Sequence, residues 1–193
     1  MTNFDREYYQ RFYGGETAVH DAKKIAHLAS AVHELCAWWG VAPSTVLDVG
    51  AGMGAWRDWY HANHPEVQVF SIDNSSYACE QWGHQQRSIV TWRPLVRYGL
   101  VVCHSVLQYL TDEEAEAAID NLGAATGRVL YLEAPTARDF EEVVDKERTD
   151  MAVHARDGSW YRARLDRYFR QVGAGLWIRR GALPMFELEA LPE

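Results

Sequence analysis

Residues 46–55 read V46-L-D-V-G-A-G-M-G-A55, an apolar run followed by an acid and then glycines at alternate positions. A glycine-rich turn after a strand lets the backbone approach a ligand closely, and the helix that follows presents free N–H groups to it. Read as G-x-G-x-x-A, with Gly50, Gly52 and Ala55, the stretch is a dinucleotide fingerprint. It also fits D-x-G-x-G-x-G, from Asp48 to Gly54, which is typical of a different nucleoside cofactor. The stretch alone leaves both cofactors open.

The composition is that of an ordinary globular protein, with 193 residues, 48% of them hydrophobic and 24% charged. This length predicts a single domain over residues 1–193. No apolar run approaches the roughly 20 residues that span a bilayer. The polar first residues lack the order of a secretory signal, so we expect a cytoplasmic protein. A net charge of −8 argues against nucleic acid as the partner.

The cysteines give no sign of a structural cross-link. Cys36, Cys79 and Cys103 are odd in number and show no C-x-x-C spacing. We therefore expect free thiols rather than a disulfide framework or a zinc site. The spacing of the histidines and acids does not indicate a metal site either, so we expect none.

Two kinds of hydrophobic periodicity alternate along the first two thirds of the chain. Residues 18–39 carry one apolar helical stripe, and Thr111 with Glu114 forms a capping box that opens a later helix. Short β-rich runs lie between the helical stretches, and they predict strands at 45–49, 67–72, 87–91, 100–103 and 127–133. This alternation is typical of right-handed βαβ units, which build a doubly wound α/β sheet with helices on both faces.

The last third of the chain breaks this rhythm. A helix is predicted from Trp160 to about Val172, followed by β segments at 175–180 and 185–189. Since only residues 181–184 separate the two segments, they must pair as an antiparallel hairpin. A wholly parallel dinucleotide-binding domain does not end in this way.

Five features, taken in order along the chain, resemble the class I S-adenosylmethionine-dependent methyltransferases. They are the loop at 46–54, the pair Ile72-Asp73, the stretch C103-H-S-V-L-Q-Y-L110, the strand at 127–133 and the terminal hairpin. The resemblance spans roughly residues 41–190 and extends to small bacterial members of unknown acceptor. It implies S-adenosylmethionine as the cofactor and a seven-stranded, mostly parallel sheet in the order 3-2-1-4-5-7-6, with strand 7 antiparallel.

The resemblance also implies roles for individual residues. The glycine loop would surround the methionine part of the cofactor, and the acid after the second strand would accept hydrogen bonds from the ribose hydroxyls. Relatives often hold the adenine with an acid after the third strand, and this chain has none between Arg87 and Gly99. The residues assigned to the cofactor are Asp48, Gly50, Ala51, Gly52, Gly54, Asp73, Asn74, Ser88, Ile89 and His104.

Three residues are candidate bases for removing a proton from the acceptor. His104 and Glu133 end neighbouring strands at the carboxyl edge of the sheet, where ligands bind in open α/β folds. A structural histidine and a salt-bridging acid explain the same residues. His154 is the third candidate, in a polar segment at 134–159 that either contacts the acceptor or forms a solvated helix.

Two further segments have two interpretations each. The arginines between Arg156 and Arg180 form either a solvated helix face or a surface for an anionic acceptor or RNA. The aromatic residues between Phe4 and Tyr13 either pack as an ordinary helix or cover the cofactor, and we expect helices in residues 1–40 to cover the cofactor cleft.

The hypothesis that accounts for most of these features is a methyltransferase acting on a small polar molecule. One alternative is a noncatalytic module that keeps the cofactor pocket. The other is an NAD(P)-binding oxidoreductase, which the terminal hairpin disfavours. Binding of the demethylated cofactor without turnover would indicate the module, and binding of NADH would indicate the oxidoreductase.

Overall fold

The computed structural model describes residues 4–13 and 22–191. Within these ranges the helices are α1 (Arg6–Tyr13), α2 (Ala22–Trp38), α3 (Ala55–Asn63), α4 (Ser76–Trp82), α5 (Asp112–Ala125), α6 (Ala137–Glu142) and α7 (Gly158–Leu165). The strands are β1 (Thr45–Val49), β2 (Gln68–Asp73), β3 (Gln85–Gln86), β4 (Tyr98–His104), β5 (Thr126–Glu133), β6 (Phe169–Gly173) and β7 (Leu176–Arg179). A short 3₁₀ helix, Leu107–Tyr109, lies between β4 and α5.

The strands form one seven-stranded sheet in the order β3-β2-β1-β4-β5-β7-β6. Strands β1 to β5 pair in parallel, whereas β7 pairs antiparallel with both β5 and β6. The predicted strand order and the antiparallel seventh strand are therefore confirmed. In register, Val49 lies opposite Ile72 on one side and Cys103 on the other, so the carboxyl ends of β1, β2 and β4 meet at one edge.

Apolar side chains cover both faces of the sheet, as predicted. On one face α2 and α3 bury Val32 and Tyr60 against the sheet, and on the other α5 and α7 bury Leu122 and Leu165. β4 lies between these layers, and Leu100, Val101, Val102 and Cys103 are all fully buried. The continuous apolar run of this strand follows from its burial on both faces.

Two predicted boundaries before the last strands are wrong. The third strand is Gln85–Gln86, and the predicted strand at 87–91 is mostly a turn. The helix predicted from Trp160 to Val172 ends at Leu165, because the chain turns there and Phe169–Gly173 forms β6. Phe169 is fully buried in that strand, so sheet packing overrides the helical spacing of the segment.

The terminal hairpin exists, but it lies one strand earlier than predicted. Its strands are β6 and β7, joined at Gly173, Ala174 and Gly175, which all have positive φ. The predicted strand at 185–189 is wrong, since this segment forms turns and exposes Phe186 and Leu188. The sequence G173-A-G175 is typical of a turn, but the helical spacing of the preceding apolar residues predicted a helix up to this point instead of a strand.

The cysteines carry free thiols, with Cys36 and Cys103 buried. In the part of the chain that the structure describes, none of the helices combines the length and the apolar character needed to cross a membrane.

Candidate active site

The loop between β1 and α3 is built around glycines that other residues cannot replace easily. Gly50, Gly52 and Gly54 have φ angles of 66°, 55° and 79°, a region that side chains with a β-carbon disfavour. A β-carbon at position 50 would also lie 2.3 Å from Val106 Cγ2. The loop therefore needs glycine at position 50 for both its conformation and its close approach to Val106.

Two side chains hold the peptide groups of Gly52. Its N–H donates to Asp73 Oδ2 over 2.9 Å, and its carbonyl accepts from His84 Nε2 over 2.9 Å. Because a carbonyl only accepts, His84 carries its proton on Nε2, and its Nδ1 accepts from the Ser71 hydroxyl at 2.8 Å. Burial lowers the pKa of His84, in agreement with this neutral form. His84 was not singled out from the sequence, where nothing marks its contact with the loop.

Asp48 lies behind the loop and is 2% exposed. Its Oδ2 has no hydrogen-bond partner among the described residues. Burial raises the pKa of the Asp48 carboxyl to about 7, although the charges of His104 and Arg57 act to lower it. The Asp48 carboxyl therefore lies in the core rather than at the surface of the loop.

A cleft, here called the glycine-loop cleft, opens in front of this loop. Of the residues that the sequence assigned to the cofactor, those that line it are Gly50, Gly52, Asp73, Asn74, Ser88, Ile89 and His104. Asp48, Ala51 and Gly54 do not line it. Asp73 accepts from the N–H groups of Gly52 and Ser75, one on each carboxylate oxygen. Each oxygen retains a second lone pair, so the carboxylate can still accept from a ligand hydroxyl.

Several residues that line the glycine-loop cleft were not assigned to the cofactor from the sequence. They are Arg87, Ser105, Val106, Tyr109 and Leu110. The last four follow β4 directly, so their position at the carboxyl edge of the sheet was the available signal.

Helix α1 and the residues before it cover the cleft with aromatic side chains. Phe4, Tyr8, Tyr9 and Tyr13 all line it. The hydroxyls of Tyr8 and Tyr109 lie 2.9 Å apart, and Ser75 Oγ donates to the Phe4 carbonyl over 2.5 Å. With these rings in place the cleft has a volume of about 110 Å³, below the roughly 300–1,000 Å³ typical of small-molecule sites.

A second cavity of about 480 Å³ adjoins the cleft and is here called the outer cavity. Tyr8, Tyr13, Ser105 and Tyr109 line both spaces and form the boundary between them. The rest of the outer cavity is built by residues 133–153, which follow β5, together with Phe12 and Gln108. Part of the polar segment at 134–159 therefore encloses a space at the carboxyl edge of the sheet.

His104 and Glu133 connect the two spaces, because His104 lines the cleft and Glu133 lines the outer cavity. His104 Nε2 lies 2.9 Å from Glu133 Oε2, and the Trp56 indole N–H donates to His104 Nδ1 over 3.3 Å. Since indole nitrogen only donates, Nδ1 is the acceptor, while Nε2 lies beside Glu133 at ion-pair distance without the geometry of a hydrogen bond to it. The geometry therefore places an imidazole and a carboxylate side by side where the two spaces meet.

His154, the third candidate base, lines neither the cleft nor the outer cavity, and its side chain is exposed. Its backbone N–H donates to the Gln108 carbonyl over 2.8 Å. The structure therefore does not bring the His154 side chain to either space.

The neighbouring Arg156 is buried and attaches this segment to the 3₁₀ helix. Its Nε donates to Asp112 Oδ1 over 2.7 Å, and its Nη1 donates to the Leu107 carbonyl over 3.0 Å. Arg156 therefore holds the wall of the outer cavity against the helix that carries Gln108 and Tyr109.

Two arginines, Arg164 in α7 and Arg167 in the turn after it, pair with acids of α5. Arg167 lies 2.9 Å from Asp120, and Arg164 lies 3.7 Å from Glu116. The Arg164 guanidinium also lies 3.8 Å from the centre of the Trp160 ring. These contacts favour the solvated helix face over a surface for RNA.

Within residues 4–13 and 22–191, no group of three or more His, Cys, Asp or Glu side chains is arranged to hold a metal ion.

No protein-family model matches the sequence, and no curated protein matches it significantly. Solved structures do match the fold. One is the plantazolicin methyltransferase BpumL in complex with a monoazolic desmethylPZN analog and SAH, with a TM-score of 0.61 and 15% identity. That match covers 76% of this chain and 63% of BpumL, so the chain spans less than two thirds of the length of that relative.

Two further structures match over most of their own length. The magnesium protoporphyrin IX methyltransferase ChlM from Synechocystis PCC 6803, with bound SAM, has a TM-score of 0.57 and 16% identity, covering 90% of each chain. The N-methyltransferase NodS from Bradyrhizobium japonicum WM9, in complex with SAH, has a TM-score of 0.63 and 13% identity, covering 93% of this chain and all of NodS. At these identities the likeness establishes the shared fold.

Proposed function

Because the chain has the fold of the class I methyltransferases, we propose that it is an S-adenosylmethionine-dependent methyltransferase acting on a small molecule. The observation that carries this proposal is the pair of adjoining spaces at the carboxyl edge of the sheet. The glycine-loop cleft binds the cofactor, the outer cavity binds the acceptor, and the contact between His104 and Glu133 lies where the two meet.

The residues of the cleft fit this cofactor. Gly52 leaves room for a ligand to lie along the backbone, since the nearest atoms lie 3.9 Å from the position of an added β-carbon, and the Asp73 carboxylate retains lone pairs for the ribose hydroxyls. Ile89, 4% exposed, and Val106 offer apolar surface to the adenine, with Ser88 as a polar neighbour. When bound, S-adenosylmethionine supplies a methyl group on a positively charged sulfur.

Glu133 accepts the proton that the acceptor loses, and His104 is its positioning residue. His104 Nε2 lies 2.9 Å from Glu133 Oε2, and the hydroxyl of Ser105 donates to Glu133 Oε1 over 3.4 Å. These contacts restrict the orientation of the carboxylate beside the outer cavity. A fixed base beside an aligned acceptor contributes through both proton transfer and orientation.

Helix α1 and the residues before it form a lid over the cofactor, whereas α2, which was also expected to cover the cleft, packs against a face of the sheet. With α1 in place the cleft is smaller than a typical ligand site. Four of its lining side chains belong to Phe4–Tyr13, so displacing this segment enlarges the cleft. The lid therefore opens for the cofactor to enter and then excludes water from the boundary between the two spaces.

The acceptor is a small molecule, since the outer cavity is a pocket lined largely by apolar and aromatic side chains. Its reacting group is polar, because Glu133, which accepts its proton, also lines this cavity. A volume of about 480 Å³ is within the range of small-molecule sites. Turnover distinguishes this proposal from a noncatalytic module that keeps the same pocket.

Isothermal titration calorimetry with the demethylated cofactor S-adenosylhomocysteine tests the proposal, with NADH titrated in parallel. We expect S-adenosylhomocysteine to bind and NADH to give no heat. The variant Asp73→Asn loses a charged acceptor and should weaken binding of S-adenosylhomocysteine by roughly tenfold or more. Binding of NADH in place of S-adenosylhomocysteine would contradict the proposal and support the oxidoreductase alternative.

A further inference from the structure

We propose that the acceptor is a cationic amine attached to an apolar or aromatic body, and that its nitrogen is the atom methylated. This inference rests on the proposed function and concerns the outer cavity. Three independent features carry it: the apolar walls, the excess of carboxylates, and a buried amide oxygen that lacks a partner.

The walls suit an apolar or aromatic body. Phe12, Tyr109 and Phe140 present rings to the outer cavity, and Val143, Val144 and Val153 add aliphatic surface. Aromatic rings also attract cations through their π faces. A cationic group next to apolar atoms therefore fits these walls better than a molecule that is polar throughout.

The charges that line the cavity are predominantly negative. Glu133, Asp139, Asp145 and Asp150 line it, against Arg148 as the one basic residue among the described lining residues. Asp139 also caps α6, since the Thr136 N–H donates to its Oδ2 over 2.7 Å. An anionic acceptor would be repelled by this excess, whereas an ammonium group would be attracted.

The negative charges of the carboxylates affect the pKa values of the tyrosines at the boundary between the two spaces. Burial raises the pKa of the Tyr13 hydroxyl, and the negative charges of Asp73, Asp150 and Glu133 raise it further, while a hydrogen bond with Tyr8 lowers it. Burial is also the main cause that raises the pKa of Tyr8 and of Tyr109, and Asp150 acts in the same direction on both. The negative field therefore reaches the tyrosines that line both spaces, where the reacting nitrogen would lie.

Gln108 gives a separate indication of a hydrogen-bond donor in the ligand. It lines the outer cavity, is 4% exposed, and its Oε1 has no hydrogen-bond partner among the described residues. A buried amide oxygen without a donor is unfavourable, because it has lost its hydrogen bonds to water. An ammonium or amine N–H is a donor that would satisfy it.

The transfer balances with the groups present. An ammonium nitrogen first gives one proton to the Glu133 carboxylate, which leaves a lone pair on nitrogen. That pair forms the new N–C bond to the methyl group, and the electrons of the broken S–C bond stay on sulfur, which becomes neutral. The proton on Glu133 then passes to solvent, and the product is the N-methylated amine together with S-adenosylhomocysteine.

Binding of matched probes to the protein loaded with S-adenosylhomocysteine tests this inference. The probes are phenethylamine, 2-phenylethanol and 3-phenylpropionate, which share a ring and differ in charge. We expect phenethylamine to bind at least about tenfold more tightly than 2-phenylethanol, and 3-phenylpropionate to bind most weakly. Mass spectrometry after incubation with S-adenosylmethionine should find the added methyl group on nitrogen.

A pair of variants checks that the cavity charge is responsible. Asp150→Asn keeps an oxygen for the Ala152 N–H and should weaken phenethylamine binding about fivefold without changing the affinity for S-adenosylhomocysteine. Glu141→Gln removes the same charge from an exposed position that does not line the cavity, and should leave both affinities unchanged.

Failure of the inference differs from failure of the proposed function. If S-adenosylhomocysteine does not bind, the proposed function fails. If S-adenosylhomocysteine binds but phenethylamine does not, or if either uncharged or anionic probe binds as tightly as the amine, the cationic acceptor is wrong while the cofactor assignment stands. Equal effects of Asp150→Asn and Glu141→Gln would also overturn the inference.

Discussion

His104 Nε2 lies 2.9 Å from Glu133 Oε2 at the ends of two neighbouring strands, opposite each other in the register of β4 and β5. Trp56 donates to the other ring nitrogen of His104. The contact places the Glu133 carboxylate where the glycine-loop cleft and the outer cavity meet.

The first prediction concerns Glu133. Glu133→Gln keeps the shape of the side chain and an oxygen beside His104, but it removes the base. We expect kcat to fall by about 10²–10⁴, while the affinity for S-adenosylhomocysteine stays within about twofold because Glu133 does not line the cleft. Steady-state kinetics and calorimetry on the same preparations measure both quantities. Unchanged kcat would exclude Glu133 as the base.

His104 provides a companion test, since a positioning residue should act through Glu133. His104→Gln retains an N–H that can reach the carboxylate, whereas His104→Ala does not. We expect the glutamine variant to recover part of the kcat that the alanine variant loses. When combined with Glu133→Gln, the variants His104→Gln and His104→Ala should have nearly the same kcat. If instead the effects on kcat of the substitutions at positions 104 and 133 are additive, His104 does not act through Glu133.

The second prediction concerns the glycine loop. Gly50→Ala adds a β-carbon at φ 66° and 2.3 Å from Val106 Cγ2, so the loop must shift. We expect loss of measurable binding of S-adenosylhomocysteine. Gly83→Ala is the control, because Gly83 has φ 73° but nothing within 4 Å of the added carbon. It should lower the free energy of unfolding by about 1 kcal/mol with binding retained; equal binding by both variants would contradict the assignment of the loop.

The third prediction is a pH dependence of stability that arises from Asp48. Its pKa is raised from 3.8 to about 7 by burial, so the folded state binds the proton more tightly than the unfolded state. The stability contributed by Asp48 is therefore greatest below about pH 4 and falls as the pH rises to about 7, by an amount on the order of 2–4 kcal/mol.

Urea unfolding of the wild type and Asp48→Asn at several pH values isolates this effect, because the other titrating groups are common to both proteins. We expect the asparagine variant to gain free energy of unfolding relative to the wild type between pH 4 and pH 8. A difference between the two proteins that is independent of pH would show that Asp48 titrates normally.

The fourth prediction concerns the lid. Tyr8→Phe removes the 2.9 Å contact with the Tyr109 hydroxyl but keeps the ring over the cleft. We expect S-adenosylhomocysteine to dissociate about 2–10-fold faster, as measured by stopped-flow fluorescence. Tyr77→Phe is the control, since Tyr77 packs against Tyr9 without lining the cleft. Unchanged dissociation in Tyr8→Phe would mean that this contact does not hold the lid closed.

Local patterns in the sequence predicted much of the fold. The alternation of strands and helices, the loop from Asp48 to Gly54 and the position of Asp73 all follow from periodicity and turn chemistry within short stretches. The terminal hairpin was predicted, but its strands were displaced because Trp160–Val172 has helical spacing. The positive φ angles at Gly173–Gly175 and the burial of Phe169 against the sheet decide the outcome there.

The site itself was less accessible from the sequence, because it forms from segments distant in the chain. The glycine-loop residues Gly50 and Gly52 were predicted locally, whereas the contact of Tyr8 with Tyr109 joins residues 101 positions apart. His154 looked suitable as a base by residue type alone, but the chain turns its side chain outward. The outer cavity forms where α1 packs beside residues 133–153, so it depends on contacts between segments far apart in the sequence.

The most direct test of the central claim is a crystal structure of the protein with S-adenosylhomocysteine bound. The account predicts the ribose hydroxyls at Asp73, the homocysteine part along Gly50 and Gly52, and the sulfur facing the boundary with the outer cavity beside Glu133. A ligand bound outside this cleft, or one whose sulfur faces away from the outer cavity, would contradict it.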